Sequence, residues 1–93
     1  METVNVYLDW SCGGCDDYLD EIQKGCKAFQ YEYTLTTCDV DPILVFKEVR
    51  RLREKGNNIE HLPILVTKND YEMENVYVGI LDRTSIQNIL KEL

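Results

Sequence analysis

Basic residues, prolines and long apolar runs are all scarce in this 93-residue chain. Ten lysines and arginines stand against 17 aspartates and glutamates, so the formal net charge is −7 and binding to nucleic-acid phosphates is disfavoured. No run approaches the ~20 apolar residues that cross a membrane, and the N-terminus lacks the basic and apolar segments of a secretion signal. We therefore expect a cytoplasmic protein that binds neither nucleic acid nor membrane.

The chain does contain enough apolar residues to form one modest core. At this length, folding buries somewhat over ~60% of the surface that the unfolded chain exposes, and the composition is that of a globular protein. We therefore predict a single domain over residues 1–93 that needs no disulfide bonds to stabilise its fold. In the cytoplasm stable disulfides are rare, so a CxxC pair there is more often catalytic or metal-binding.

The first half of the chain predicts a strand, a helix and a second strand. Apolar and polar residues alternate over Thr3–Asp9, with Val4, Val6 and Leu8 on one face, which is typical of a strand. The segment Tyr31–Thr37 is rich in aromatic and β-branched residues and predicts the second strand. Between them, helical spacing separates the apolar residues Tyr18, Leu19, Ile22, Cys26 and Phe29.

The second half predicts a helix, a hairpin and a last helix. Asp41, followed by a proline, suits the N-cap of a helix that ends at Gly56. The side chains of this helix that are predicted to face the core are Ile43, Phe46, Val49 and Leu52. Strands are predicted over Leu62–Thr67 and Val76–Gly79, joined as a hairpin. Asp82 suits the N-cap of the last helix, whose apolar face is Ile86, Ile89, Leu90 and Leu93.

The resulting order, βαβαββα, predicts an α/β domain with a four-stranded mixed sheet flanked by three helices. The first βαβ unit requires parallel strands with a right-handed crossover, and the closing hairpin adds an antiparallel pair. Three amphipathic helices bury their apolar stripes most economically by covering the sheet.

A CxxC motif, "CGGC", lies between the first strand and the first helix. Cys12 is predicted at the strand-to-helix turn, where free backbone N–H groups favour a thiolate. Cys15 lies one turn further, less exposed and within bonding reach, and Gly13 and Gly14 permit the tight turn. The two aspartates after Cys15 oppose the thiolate, so we expect only modest activation, which suits a reductant better than a strong oxidant.

The same motif is also compatible with a metal site or a structural disulfide. A zinc site needs two more ligands, but Cys26 and Cys38 are not a close pair, and the single histidine, His61, is far along the chain. Cys26 falls on the apolar stripe of the first helix and is predicted to be a buried, inert thiol. Cys38 ends the second strand and is expected to be exposed. We favour a redox pair that uses no metal and no cofactor.

Three segments together resemble the thioredoxin–glutaredoxin superfamily. They are "WSCGGC" at the strand-to-helix turn, "HLPILV" further along, and "KNDYEMENVYVGILDRTSIQNILKEL" at the end. The resemblance covers essentially the whole chain and implies a thioredoxin-like fold and thiol–disulfide exchange. It also implies that Pro63 is cis and lies beside the CxxC, and that Leu62 offers its backbone to the substrate.

The chain departs from both branches of that superfamily. Thioredoxins place a tryptophan directly before the first cysteine and a buried acid six residues before it, where Ser11 and Val6 stand here. Glutaredoxins place a cation three residues before it, and here Asp9 would repel the carboxylates of glutathione. Of their Gly-Gly and acid pattern, only Gly79 and Asp82 remain. We therefore favour reduction of protein disulfides over glutathione-dependent chemistry.

These features predict a thiol–disulfide oxidoreductase, a protein disulfide reductase or electron carrier, in which Cys12 attacks and Cys15 resolves. The predicted docking surface for the substrate consists of Trp10, Gly13, Leu62 and Pro63. We expect a monomer that acts on a disulfide-containing protein and is recycled by a thioredoxin reductase-type flavoprotein or by glutathione. The alternatives are a glutathione-dependent glutaredoxin and a thioredoxin-fold binding subunit whose CxxC is vestigial or metal-bound.

Overall fold

The computed structural model describes residues 1–9 and 12–93, which form seven elements in the order β1α1β2α2β3β4α3. The strands are β1 (Thr3–Leu8), β2 (Glu32–Thr37), β3 (Ile64–Lys68) and β4 (Glu74–Val78). The helices are α1 (Cys15–Phe29), α2 (Pro42–Glu54) and α3 (Arg83–Glu92). The predicted order is confirmed. No helix within the described ranges has the length and apolar character needed to cross a membrane.

The four strands of the described chain form one mixed sheet in the order β2-β1-β3-β4. β1 and β2 are parallel, with Val6 opposite Leu35. β3 is antiparallel to both β1 and β4, with Leu65 opposite Val6 on one side and Tyr77 on the other. One end of the sheet therefore contains the end of β1, the end of β2 and the start of β3.

Helices cover both faces of this sheet and create two cores. On one face α1 and α3 pack over residues that include Val6 and Leu65. On the other face α2 packs over Tyr7, Ile64 and Val66. Because β1 and β3 supply side chains to both cores, β3 is a nearly continuous apolar run, as expected for a strand that is buried on both faces.

The helices α1 and α3 approach each other closely at Gly25. A Cβ atom built on Gly25 would overlap the side chain of Leu90, which is 1% exposed in the core. The absence of a side chain at this position therefore sets how closely the two helices pack.

The predicted apolar stripe of α1 is correct except at its last residue. Tyr18, Ile22 and Cys26 are buried against the sheet. Phe29 is 48% exposed, and its ring stacks on Tyr31 with centroids 5.4 Å apart. The helix ends there because Gln30 takes a left-handed conformation, φ 60°, which carries the chain toward β2.

Both predicted ends of α2 are confirmed. The Asp41 carboxylate accepts a hydrogen bond from the Leu44 amide at 3.0 Å, which caps the first turn. The helix ends at Glu54, and Gly56 follows with φ 99°, a conformation that glycine adopts without steric penalty.

The predicted inward face of α2 is partly wrong. Ile43 and Phe46 are 66% and 70% exposed, whereas Val45 and Leu52 are buried and Val49 is half-buried. The segment "ILVFKEVRRL" contains two apolar stripes at helical spacing, and both satisfy the same periodicity. Packing against the sheet selects the stripe of Val45, Val49 and Leu52, and leaves the other in solvent.

Candidate redox site

The CGGC motif forms the turn between β1 and α1. Cys12 and Cys15 form a disulfide with Cα atoms 5.5 Å apart, and the Cys15 amide donates to the Cys12 carbonyl at 3.4 Å. Gly14 occupies the N-cap of α1 with φ 85°, a left-handed conformation that disfavours any residue with a Cβ. Gly14 therefore lets the chain turn sharply enough into α1 to bring the sulfurs together.

The two sulfurs differ in exposure as the sequence predicts. Cys15 is 3% exposed and belongs to the core beneath α1 and α3, whereas Cys12 is half-buried at the margin of that core. Gly13 is exposed, and a Cβ placed there would meet no atom within 4 Å. A partner can therefore approach Cys12 past Gly13, while Cys15 stays covered. The roles assigned to these residues stay predictions.

Opposing electrostatic effects meet at the first turn of α1. Gly14 at the N-cap has no side chain to accept from the first amides of α1, and the partial positive charge of this helix end favours a negative sulfur. Asp16 and Asp17 are exposed in the same turn, and their charge opposes a thiolate. Modest stabilisation of a Cys12 thiolate stays a prediction.

Pro63 lies at the same end of the sheet as the disulfide. The Leu62–Pro63 peptide bond is cis, as the resemblance implies. Tyr7, near the end of β1, pairs with Ile64, the first residue of β3. Pro63, which precedes Ile64, therefore lies beside the end of β1. The Gly79 amide donates to the Pro63 carbonyl at 2.8 Å and holds this segment against the end of β4. Trp10, the remaining predicted docking residue, lies outside the described residues, as does Ser11.

A groove that the sequence analysis missed runs beside this site. Its volume is about 410 Å³, and it lies between α2 and the segment that leads to Pro63. Among the residues that line it are Asp9, Cys38, Phe46, Ile59 and Leu62. The sequence contains one signal of this groove, Phe46, which was predicted to face the core and lines the groove instead.

Cys38 is buried, which corrects the expectation that it is exposed. Its exposed fraction is 6%, and it packs with Tyr7 and Val45 in the core under α2. The register explains this position, because the Cys38 amide continues the β1–β2 ladder by donating to the Leu8 carbonyl at 3.1 Å. Burial raises the pKa of the Cys38 thiol, and the nearby carboxylates of Asp9 and Asp39 raise it further.

Cys26 is the buried thiol that the sequence predicted. It is 1% exposed, and desolvation raises its pKa to about 11. Cys26 and Cys38 belong to different cores on opposite faces of the sheet. Within residues 1–9 and 12–93, no group of three or more His, Cys, Asp or Glu side chains is placed to hold a metal ion.

A second cavity of about 410 Å³ opens beside Gly14, between α1 and the turn that enters α3. Its charged lining residues are Asp17, Asp20, Glu21, Lys24, Asp82 and Arg83. Arg83 is already paired with Glu21, with Nε and Oε2 3.3 Å apart, and Asp82 caps α3 by accepting from the Ser85 amide at 2.8 Å. Carboxylates therefore predominate in this cavity, and an anionic ligand is disfavoured there.

Comparison with known proteins identifies the fold. No protein-family model matches the chain, and no curated protein sequence matches it. Among solved structures, the chain is similar to chloroplastic thioredoxin z, whose crystal structure is described as defining a novel type-specific target recognition. The two are 18% identical over 99% of this chain and 77% of that chain, with a TM-score of 0.69. The chain has the thioredoxin fold.

Proposed function

We propose that this protein is a thiol–disulfide oxidoreductase that reduces disulfides in other proteins. One observation carries the proposal: the Cys12–Cys15 disulfide lies in the turn before α1, at the end of the sheet where Leu62 and Pro63 also lie. The thioredoxin fold and the cysteine pair together support thiol–disulfide redox chemistry. The choice of protein disulfides over other substrates is our inference.

In the proposed cycle the reduced protein transfers two electrons to its substrate. The Cys12 thiolate attacks one sulfur of the substrate disulfide, which breaks that bond and releases the other substrate sulfur as a thiolate that takes up a proton. Cys15 then loses its proton and attacks the Cys12 sulfur of the mixed disulfide. This step forms the Cys12–Cys15 disulfide and releases the second substrate thiol. The protein is oxidised and the substrate is reduced.

The surroundings of three predicted docking residues support the part that we propose for them in this cycle. Gly13 leaves the approach to Cys12 open, and Leu62 is half-buried with its side chain at the groove beside α2. Pro63 is buried just before β3, and its carbonyl accepts the hydrogen bond from the Gly79 amide that joins this segment to the end of β4. In the proposal these residues receive the substrate backbone and its apolar side chains.

We further propose that a thioredoxin reductase-type flavoprotein, rather than glutathione, recycles the disulfide. Two features support this choice. Asp9 is exposed at the position where glutaredoxins place a cation, and the cavity beside Gly14 is lined mainly by carboxylates. Glutathione carries two carboxylates, so both features disfavour its binding.

A redox titration followed by recycling assays tests the function. The purified protein is equilibrated in dithiothreitol buffers of graded potential, quenched with acid and analysed by mass for the loss of two hydrogens. We expect a single two-electron transition that persists in a Cys26→Ala, Cys38→Ala variant. Insulin reduction is then measured with a flavoprotein reductase or with glutathione as the electron source, and we expect the faster turnover with the reductase.

Two results would contradict the proposal. The first is a Cys12–Cys15 pair that shows no redox transition or supports no insulin reduction with any reductant, which would leave a non-catalytic binding domain. The second is one equivalent of zinc bound to the freshly purified reduced protein, which would assign the motif to a metal.

A further inference from the structure

The segment that joins α2 to β3 leads directly to the predicted docking residues. We call residues 57–63 the α2–β3 loop, and none of them belongs to a helix or a strand. At its start, the amide and the side chain of Asn57 both donate to the Leu52 carbonyl, at 3.1 and 2.9 Å. At its end, the Pro63 carbonyl accepts from the Gly79 amide. The loop is therefore tied down at both ends, and its course between them decides how it presents the docking residues.

Arg53, in the last turn of α2, holds the middle of this loop. Its Nε and Nη2 atoms both donate to the carbonyl oxygen of Ile59, at 2.9 and 2.6 Å. A guanidinium is planar and charged, so two such bonds to one oxygen fix the direction of that carbonyl better than a single neutral donor would. Ile59 lies six residues beyond Arg53 and outside the helix, so the contact joins α2 to the loop.

The Ile59 side chain is anchored separately from its carbonyl. This side chain is 3% exposed and packs in the core under α2. Packing of the side chain alone leaves the next peptide plane able to rotate, because each residue has two soft backbone dihedral angles. The bonds from Arg53 remove that freedom, since they fix the carbonyl of the same peptide. The core thus sets the position of Ile59, and Arg53 sets the direction in which the chain leaves it.

Leu62 lies three residues after Ile59, close enough for that direction to matter. Three residues span at most ~10 Å when fully extended. Glu60 and His61, which lie between, are exposed and are not held by the core. Arg53 and Leu62 both line the groove beside the cysteine pair. A change in the direction of the Ile59 carbonyl is therefore passed on to the Leu62 backbone.

We propose that Arg53 is a positioning residue for the substrate: it fixes the Ile59 carbonyl and thereby holds the Leu62 backbone where a substrate polypeptide docks beside Cys12. This inference rests on the proposed function. Arg53 acts through Leu62 and takes no part in the exchange of sulfurs. A small disulfide needs no docking, so loss of the Arg53 bonds should slow only the reduction of protein disulfides.

Single-turnover rates of the full chain test the proposal. The reduced protein is mixed with insulin or with bis(2-hydroxyethyl) disulfide, quenched with acid and analysed by mass for the Cys12–Cys15 disulfide. Arg53→Met removes the donors and keeps an unbranched side chain. It should lower the rate with insulin about threefold to tenfold, the range expected for the loss of ordinary hydrogen bonds. The rate with the small disulfide should stay within about twofold of wild type.

Two further variants separate the hydrogen bonds from the charge. Arg50→Met is the matched control, because it removes the same charge from an exposed position of α2 whose ion pair is with Glu54 of the same helix. Its rates with both disulfides should stay within about twofold of wild type. Arg53→Lys keeps the charge but cannot place two donors of a planar fork on one oxygen, so its rate with insulin should fall below that of wild type. Circular dichroism checks that each variant is folded.

The Gly79 amide reports on the loop without reference to activity. Because this amide donates to the Pro63 carbonyl, its exchange with deuterium, followed by NMR, measures how often the end of the loop opens. The exchange should be several-fold faster in Arg53→Met than in Arg50→Met or wild type. Equal exchange in the three proteins would overturn the proposal.

The rates contradict the proposal in three ways that leave the redox function standing. The first is an Arg53→Met protein that reduces insulin as fast as wild type. The second is an Arg53→Lys protein that does so, which would assign the effect to charge. The third is equal slowing with both disulfides, which would place the effect at the cysteine pair rather than at docking. A wild type that reduces neither disulfide would refute the proposed function itself, and the Gly79 exchange would still decide whether Arg53 holds the loop.

Discussion

At the scale of single residues, the CGGC motif places two similar side chains in different surroundings. Cys15 is inside the core beneath α1 and α3, while Cys12 lies at its margin beside the open surface at Gly13. In the proposed cycle an external disulfide therefore meets Cys12 first. Cys15 then resolves the mixed disulfide, and the Cα distance of 5.5 Å between the two cysteines is compatible with this step.

Single serine replacements test this division of labour. Cys12→Ser should abolish turnover with insulin. Cys15→Ser should leave Cys12 able to attack but unable to release the product, so a mixed disulfide should accumulate. Each variant is incubated with a disulfide substrate, quenched with acid and analysed by mass spectrometry. Adducts on Cys15 in the Cys12→Ser protein, with none on Cys12 in the converse variant, would show that the two roles are reversed.

The charge at residue 9 should control the use of glutathione. Asp9→Lys should raise the rate at which glutathione reduces the Cys12–Cys15 disulfide, because a cation attracts the tripeptide that the carboxylate repels. The gain should shrink in high salt, since exposed charges are screened over ~10 Å at 0.1 M ionic strength. Glu32→Lys, an exposed change at the opposite end of the sheet, is the control for net charge. Equal rates in Asp9→Lys and wild type would remove the electrostatic explanation.

Cys26 should behave as a structural thiol. Because burial raises its pKa to about 11, the neutral form dominates at pH 8 and iodoacetamide should label Cys26 far more slowly in the folded than in the unfolded protein. Because the thiol of the unfolded chain ionises at about 8.5 and the buried thiol only near 11, Cys26 adds no pH dependence to stability below 8.5 and makes the free energy of unfolding fall as pH rises from there toward 11. Cys26→Ala should lower the free energy of unfolding by about 1 kcal/mol and leave disulfide exchange intact. Rapid labelling in the native state would contradict the register of α1.

At the scale of the elements, the packing of α1 on α3 depends on Gly25, because a glycine has no side chain to separate the two helices. An alanine is a better helix former than a glycine by ~1 kcal/mol, so Gly25→Ala would stabilise an isolated α1. In the folded protein the added methyl group overlaps Leu90, which is fully packed. The two helices must move apart or Leu90 must leave its position, and such overpacking costs about 1–3 kcal/mol.

We therefore expect Gly25→Ala to lower the free energy of unfolding, measured in urea, despite its higher helix propensity. Lys24→Ala, at an exposed position of the same helix, should change stability by less than about 0.5 kcal/mol. Leu90→Ala opens space for the new methyl group, so the double variant should lose less than the two single losses combined. Strict additivity would show that Gly25 and Leu90 do not press on each other.

At the scale of the whole molecule, a group of charged residues ties α2 to the edge strand of the sheet. Arg51 donates to Glu74 of β4 at 2.9 Å and also contacts Glu48 in its own helix. Lys55 lies 3.5 Å from Glu74. The bond from Arg51 is the main cause that holds the pKa of Glu74 below its ordinary value. The same contacts raise the pKa of the Arg51 guanidinium.

The lowered pKa of Glu74 makes this link sensitive to acid. Its contribution to stability is present above the unfolded-state pKa of ~4.3 and is lost as pH falls through the lower folded value. Glu74→Gln should therefore lower the free energy of unfolding by about 1 kcal/mol at pH 7, and the difference from wild type should shrink by pH 3. Glu54→Gln, which alters an exposed pair within α2, should cost only about 0.3–0.5 kcal/mol at pH 7. A Glu74→Gln effect of the same size at both pH values would exclude the ionic explanation.

The sequence by itself determined the element order, the helix caps and the position of the cysteine pair. These features depend on residues close together in the chain. Asp41 and Asp82 each cap an amide three residues away, and Gly56 supplies the left-handed turn after α2. The periodicity of apolar residues then fixes which segments are helices and which are strands.

Only the tertiary structure decided which of the two apolar stripes of α2 faces the sheet. Val45 is buried against the sheet, and Phe46 is exposed. The tertiary structure likewise buried Cys38 and joined Arg51 to Glu74, 23 residues apart. Such features depend on contacts between segments that are distant in the chain, and local periodicity carries no information about them. For that reason the redox pair was visible in the sequence, whereas the groove beside it and the exposed face of α2 emerged only when the helix was placed on the sheet.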